Sequence, residues 1–199
     1  MNIDRYMLRI NKSNTEQALL EGCRKGQADA QRELYERFAP RMMGVCMRYI
    51  HDREEAEHVM IGGMVKVYEK IGQFNDEGSF EGWIRKIMVN ESLMYIRKYK
   101  NMSLEVEIEA VDHTPNYHVL EQTLEANDLL RLVGELPVGY RTVFNLYAIE
   151  GYNHKEIAKM LEINENTSKS QLSRARKHLQ NRLEALQKAE IKKGESNGS

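Results

Sequence analysis

Three prolines in 199 residues leave long stretches of this chain free of the residue that most strongly breaks a helix. Two of them, Pro115 and Pro137, fall at apparent element boundaries, while Met, Leu, Glu, Lys and Arg are plentiful, so the composition points to an all-α protein. Cysteine is also scarce. Cys23 and Cys46 lie inside helical patterns and form no C-x-x-C pair, which argues against a disulfide framework or a thiolate zinc site and makes both core residues. No run of about 18 apolar residues is present to span a membrane. The start MNIDRYMLRINKSN lacks the apolar centre of a secretion signal, so a cytoplasmic location is expected.

Chemistry-bearing patterns are missing as well. His51 and His58, His113 and His118, and His154 and His178 make no H-x-x-x-H pair and join no cysteine in a zinc pattern, so neither a metal nor a cofactor is expected. No nucleophile with a partnering base and no phosphate loop can be found, which speaks against an enzyme. No internal repeat is present.

What remains is a soluble composition, 41% hydrophobic and 30% charged, long enough for one medium domain or two small ones. The net charge of −1 is unevenly spread: residues 1–100 hold 17 basic and 15 acidic side chains, residues 101–136 hold 1 and 8, and residues 137–199 hold 11 and 7. Two neutral-to-basic modules joined by an acidic connector fit that distribution.

Helical spacing fills the first module. TEQALLEGCRKG begins after Ser13 or Asn14 and stops near Gly26; DAQRELYERFAPRMMGVCMRYI begins at Asp29 and lines up Leu34, Phe38, Met42, Val45, Cys46 and Tyr49 at spacings of three and four. EAEHVMIGGMVKVYEK belongs to a third helix starting near Asp52, and after the loop GQFNDEGS a fourth, FEGWIRKIMVNESLMYIRKYK, takes Ser79 as its N-cap. From Asn101 to about Tyr117 the period is lost: MSLEVEIEAVDHTPNY alternates briefly, as a short strand would, but its acids and Pro115 favour an extended linker. Helical patterns resume in VLEQTLEANDLLRLVGEL, PVGYRTVFNLYAIEGY, NHKEIAKMLEIN and ENTSKSQLSRARKHLQNRLEALQKAEI, and the tail KKGESNGS is expected to be disordered.

The strongest motif is YNHKEIAKMLEINENTSKSQLSRARKHL. Asn153 caps a helix holding Ile157, Ala158 and Leu161, a turn follows around Ile163, and a second helix from Thr167 to Leu179 turns Leu172, Ala175 and Leu179 inward. That is helix-turn-helix geometry, in which the second helix enters the major groove. Its outward face carries Lys169, Ser170, Ser173, Arg174 and Lys177, with Arg176 on the flank, and residues 169–193 hold 8 basic against 2 acidic side chains. Such a face neutralises phosphates and reaches base edges; a solvated basic helix is the plainer alternative.

With LPVGYRTVFNLYAIEGY before it, HKEIAKMLEINENTSKSQLSRARKHL resembles the promoter-binding C-terminal domain of extracytoplasmic-function sigma factors, the small two-domain subunits of bacterial RNA polymerase. LYERFAPRMMGVCMRYIHDREEAEHV and FEGWIRKIMVNESLMYIRKYK resemble that family's core-binding and promoter-melting domain. The resemblance spans about residues 15–185. It implies two small helical domains: a core-binding, minus-ten-reading domain over residues 1–100, an acidic linker over 101–120, a helix-turn-helix domain over 121–185 and a flexible tail over 186–199. It further implies core RNA polymerase and promoter DNA as partners, with an anti-sigma factor or an additional recruiting protein as a further partner. The alternative is a helix-turn-helix regulator that acts without stable core binding.

The same resemblance assigns residues. Thr167, Lys169, Ser170, Ser173, Arg174, Arg176 and Lys177 would read the upstream, minus-thirty-five element. Phe74 with Gln73, Asn75 and Asn90 would hold a base flipped out of the minus-ten element, an aromatic platform plus amides suiting an unstacked base. Trp83 matches an aromatic of that helix, with core packing as its plainer role. Arg85, Lys86, Arg97, Lys98 and Lys100 would supply charge to the melted strand.

The third helix departs from the family pattern. Ala56, Met60, Gly63, Met64, Val67 and Ile71 share a side that should face the core, whereas His58, Ile61, Gly62, Val65 and Glu69 share the opposite one. In the family that outer side docks on polymerase through a run resembling D-A-E-D-V-x-Q-E; here it reads E-A-E-H-V-M-I-G, keeping Glu57 but placing His58, Ile61 and Gly62 where an acid, an amide and an acid are usual. Either the polymerase contact is weaker and another protein recruits through an Ile61–Val65 strip, or drift has reshaped an ordinary interface.

Overall fold

The computed structural model describes residues 16–75, 77–99 and 126–196, and every regular element among them is helical. The chain divides into two compact units, Met1–Tyr99 and Lys100–Ser199.

The first unit holds α1 (residues 16–24), α2 (Ala28–Tyr49), α3 (Arg53–Lys70), a single 3₁₀ turn (Ile71–Gln73) and α4 (Phe80–Tyr99). Its breaks are written in local chemistry. The Asp52 carboxylate accepts from the Glu55 amide at 3.0 Å and starts α3, and the Ser79 hydroxyl accepts from the Gly82 amide at 3.2 Å and starts α4. The anticipated starts at Ser13 or Asn14 lie outside the described residues. Pro40 sits inside α2, which runs through it; the one amide bond lost there is set against the burial of Leu34, Phe38 and Met42, each worth about 1.5–3 kcal/mol.

Helices α2, α3 and α4 pack on one another. Ion pairs and hydrogen bonds tie the rim: Lys66 to Glu91 at 2.7 Å, Arg41 to Glu81 at 2.5 Å, and the Tyr68 hydroxyl donating to the Gln31 carbonyl at 2.9 Å. The glycine pair of α3 divides by side. Gly63 faces α4 so closely that a Cβ there would lie 2.5 Å from Met88 Sδ, whereas a Cβ on Gly62 would meet nothing within 4 Å. Ala56, Met60, Met64, Val67 and Ile71 are buried with Gly63, as the spacing predicts.

The second unit holds α5 (Ala126–Gly134), α6 (Val138–Phe144), a π-helical turn (Asn145–Ile149), α7 (His154–Leu161) and α8 (Glu165–Ser196). Leu132, Val133 and Leu136 meet Ala175, Leu179 and Leu183 in its core. Buried Arg141 closes the connection between α5 and α6 by donating to the carbonyls of Gly134 at 2.9 Å and Leu136 at 3.4 Å. Asn153 makes a full capping box: its side chain accepts from the Lys155 and Glu156 amides, both at 3.0 Å, and Glu156 accepts from the Asn153 amide at 2.8 Å. Glu162, with φ of 57°, ends α7 in the left-handed region.

Two boundaries differ from the sequence reading. Helix α8 begins at Glu165, capped by Asn164 through the Thr167 amide at 2.7 Å, and it continues to Ser196, into the stretch anticipated as a flexible tail. Ala, Leu, Gln, Glu and Lys dominate the sequence after Leu183, and these are the residues that lose least on entering a helix. The acidic linker, including Pro115, His113, His118 and the brief alternation before them, lies outside the described residues, as does Lys100.

Candidate nucleic-acid interfaces

In the second unit the helix expected to enter the groove is built as its period predicts. Leu172, Ala175 and Leu179 are buried along one side of α8, with Ser168 and Gln171 beside them. Lys169 and Lys177 are exposed on the other, and Thr167, Ser170, Ser173, Arg174 and Arg176 are half-buried around them. The cations are held along the surface: Lys169 pairs with Glu165 at 2.8 Å one turn back, which holds the Glu165 carboxyl below its ordinary value. The Ser170 hydroxyl donates to the Thr167 carbonyl at 3.0 Å. A phosphate brought to this face would compete with these local acceptors for the same donors.

Two further residues join this face that helical spacing did not find. The π turn brings Tyr147 against His154, with ring centroids 4.8 Å apart and planes 25° apart. Arg176 lies 5.5 Å from the Tyr147 ring centre. His154 Nδ1 shares a 2.9 Å hydrogen bond with the Ser168 hydroxyl, so the stack ties α7 to α8 beside Lys169. Burial, then the positive charges of Lys169 and Arg176, hold the His154 pKa below its ordinary value against the opposing Glu165. An extra residue per turn shifts the register, which is why a 3.6-residue period does not place Tyr147.

In the first unit one expectation is corrected. Phe74 is not an exposed platform for a base: it is 5% exposed, with its ring 5.1 Å from Phe80 and 5.7 Å from Trp83. Phe38 closes the cluster, edge-on to Phe80 at 5.5 Å. The competing force is burial of a large aromatic surface, which a loop residue satisfies as readily as a helical one. Trp83 stacks on Phe80 with planes 15° apart, in keeping with its plainer core role. Gln73, Asn75, Lys86, Asn90, Arg97 and Lys98 are exposed and Arg85 is half-buried. Along α4, Trp83, Lys86, Asn90, Met94 and Arg97 follow at spacings of three and four and form one stripe, with Met94 52% exposed among the polar members.

On α3, Glu57, His58, Gly62 and Glu69 are all exposed, and Ile61 and Val65 are 46% and 49% exposed. The side expected to meet polymerase therefore faces solvent within this unit. Neither cysteine offers chemistry: both are free and buried, and burial pushes the Cys46 thiol up to about 11. Among the described residues no group of three His, Cys, Asp or Glu side chains is placed to hold a metal ion, and no helix is long and apolar enough to cross a membrane.

Comparison with known proteins covers both units. Residues 34–102 match the family described as Sigma-70 region 2, and residues 126–179 match Sigma-70, region 4. The chain is 26% identical over 184 residues to the ECF RNA polymerase sigma-E factor of Haemophilus influenzae, covering 86% of this chain and 97% of that protein. It is 27% identical over 175 residues to the ECF RNA polymerase sigma factor SigW of Bacillus subtilis, covering 82% and 94%. Among solved structures, the sigma factor RpoE in complex with the anti-sigma factor NepR from Bartonella quintana is 22% identical, covers 77% of this chain and 96% of its own, and has a TM-score of 0.47.

Proposed function

The chain belongs to the extracytoplasmic-function subfamily of RNA polymerase sigma factors and serves transcription initiation, and on that premise we propose how its two units divide the work. Core RNA polymerase and promoter DNA are its partners. The second unit reads the duplex upstream element through Lys169, Ser170, Ser173 and Arg174, with Thr167, Arg176 and Lys177 on the backbone. The first unit holds the melted downstream strand along the α4 stripe of Lys86, Asn90 and Arg97 and the loop amides of Gln73 and Asn75. Phe74 supports that loop from inside. The protein acts in the cytoplasm and catalyses no covalent step of its own: it supplies recognition and strand capture to the polymerase.

The single observation that carries this reading is the separation of duties on α8, where one side is core and the other presents donors suited to phosphate and base edges. In-vitro transcription with core polymerase on a promoter library tests it. Starts that depend on the protein and on two spaced elements are expected; no promoter-specific start under any condition would overturn it.

The polymerase-facing side of α3 is proposed to be Glu57, His58, Ile61, Gly62, Val65 and Glu69, with a contact weaker than the acid- and amide-rich pattern provides. Restoring that pattern with Ile61→Gln and Gly62→Glu together is expected to raise core affinity several-fold, measured by titration against core polymerase. Unchanged affinity would remove the idea of a weakened contact.

A further inference from the structure

The loop between α3 and α4 is fastened from a helix fifty residues upstream. Arg24, near the end of α1, donates from Nη2 to the Phe74 carbonyl at 2.6 Å in a partly buried, charge-assisted hydrogen bond. Phe74 itself is fixed at two other points. Its amide donates to the Ile71 carbonyl at 3.2 Å, and its ring is locked among Phe80 and Trp83. Its backbone is extended, with φ of −76° and ψ of 113°.

In extended backbone, successive side chains point to opposite sides. With Phe74 pointing into the core, its neighbour Asn75 is turned outward, and both Asn75 and Gln73, the last residue of the 3₁₀ turn, are exposed. Anchoring the Phe74 carbonyl sets the rotation of the peptide plane that leads into Asn75. The Asn75 side-chain oxygen accepts from the Glu77 amide at 3.4 Å, and the Ser79 hydroxyl caps α4.

We propose that Arg24 is a positioning residue for recognition of the melted strand, presetting the loop so that Gln73 and Asn75 stand ready for an unpaired base. The inference rests on the reading that this loop meets that base. An amide selects a base edge only when held within about half an ångström of its productive place. A loop that ordered only on binding would lose its conformational freedom at that moment and weaken the contact. Arg24 acts through the backbone of residue 74 and touches no nucleic acid itself. Its fifty-residue separation from the loop explains why no motif signals it.

The test uses the full chain with core polymerase on promoter fragments whose downstream element is already unpaired, changing one base at a time. The readout is the ratio of initiation on the preferred base to initiation on each altered base, with the thermal unfolding midpoint of each protein measured alongside. Arg24→Met keeps the packing of the stem and removes the donor; Arg24→Ala removes both, and Arg24→Lys returns a donor. Arg24→Met is expected to lower the ratio at one position about five-fold or more, with an unfolding midpoint close to the parent's, and Arg24→Lys is expected to recover part of the ratio. If Arg24→Ala fails to fold, Arg24→Met decides. A parent-like ratio in Arg24→Met would overturn the inference, as would a fall that tracks lost folded protein and is not recovered by Lys. A parent chain that initiates yet shows no base preference anywhere in the unpaired element would instead overturn the reading of the loop.

Discussion

The two proposed DNA-facing surfaces are made differently. In the second unit the proposed contact residues and the core residues lie on different sides of one helix: Lys169 and Lys177 are exposed while Leu172, Ala175 and Leu179 are buried. In the first unit the contact surface is shared between α4 and a loop whose central aromatic, Phe74, belongs to the core. A helix separates recognition from stability by its period; a loop has no period and joins the two at adjacent residues.

The sharpest way to break this comparison is Phe74→Ala. Loss of a buried aromatic costs about 3–5 kcal/mol, so the first unit's thermal transition is expected to fall by roughly 15 °C or more. An unchanged transition with selective loss of base preference would return Phe74 to the role of an exposed platform. Arg174→Ala should do the opposite, weakening binding to duplex carrying the upstream element by about 1–3 kcal/mol, roughly 5- to 150-fold, while the unfolding midpoint moves little. Fluorescence titration and calorimetry on the same protein separate the two effects.

The glycines of α3 sharpen the comparison within one helix. Gly62→Ala is expected to stabilise the first unit by about 1 kcal/mol, because the site is open and alanine gives up less backbone freedom. Gly63→Ala gains the same propensity but pushes Met88 aside, at a cost of about 1–3 kcal/mol, so it should be neutral or destabilising. Equal midpoints for the two variants in denaturant unfolding would contradict the close approach of α3 and α4.

The smallest expected effect is the pH response of the second unit. His154 binds a proton less readily folded than unfolded, where its pKa is about 6.5. Stability should therefore be full above that value and decline as pH falls through it towards the lower folded pKa. The group is only partly buried, so the decline is shallow. His154→Gln, which removes the titration, should flatten it in unfolding midpoints measured between about pH 8 and pH 5; an unaltered slope would mean that other groups set the response.

Much of this was legible before any tertiary contact was known. The inward set on α3, from Ala56 to Ile71, and the inward set Leu172, Ala175 and Leu179 on α8 follow from spacing alone. So do the caps at Asp52, Ser79 and Asn153, because each acts on amides two or three residues away. The placement of Phe74 was not legible, since an aromatic flanked by amides in a polar loop looks alike whether it waits for a base or plugs a core. Tyr147 escaped because a π turn breaks the period that would have located it.

By itself, then, the sequence determined the helices, their inner and outer sides and the basic helix-turn-helix, since each of these is encoded by neighbours within about two turns. Only the tertiary structure decided that Phe74 is core, that Met88 of α4 is the side chain Gly63 makes room for, and that Arg24 reaches the Phe74 carbonyl. Those outcomes depend on which surfaces meet after the chain has folded back, and on the aromatic burial that drives the meeting.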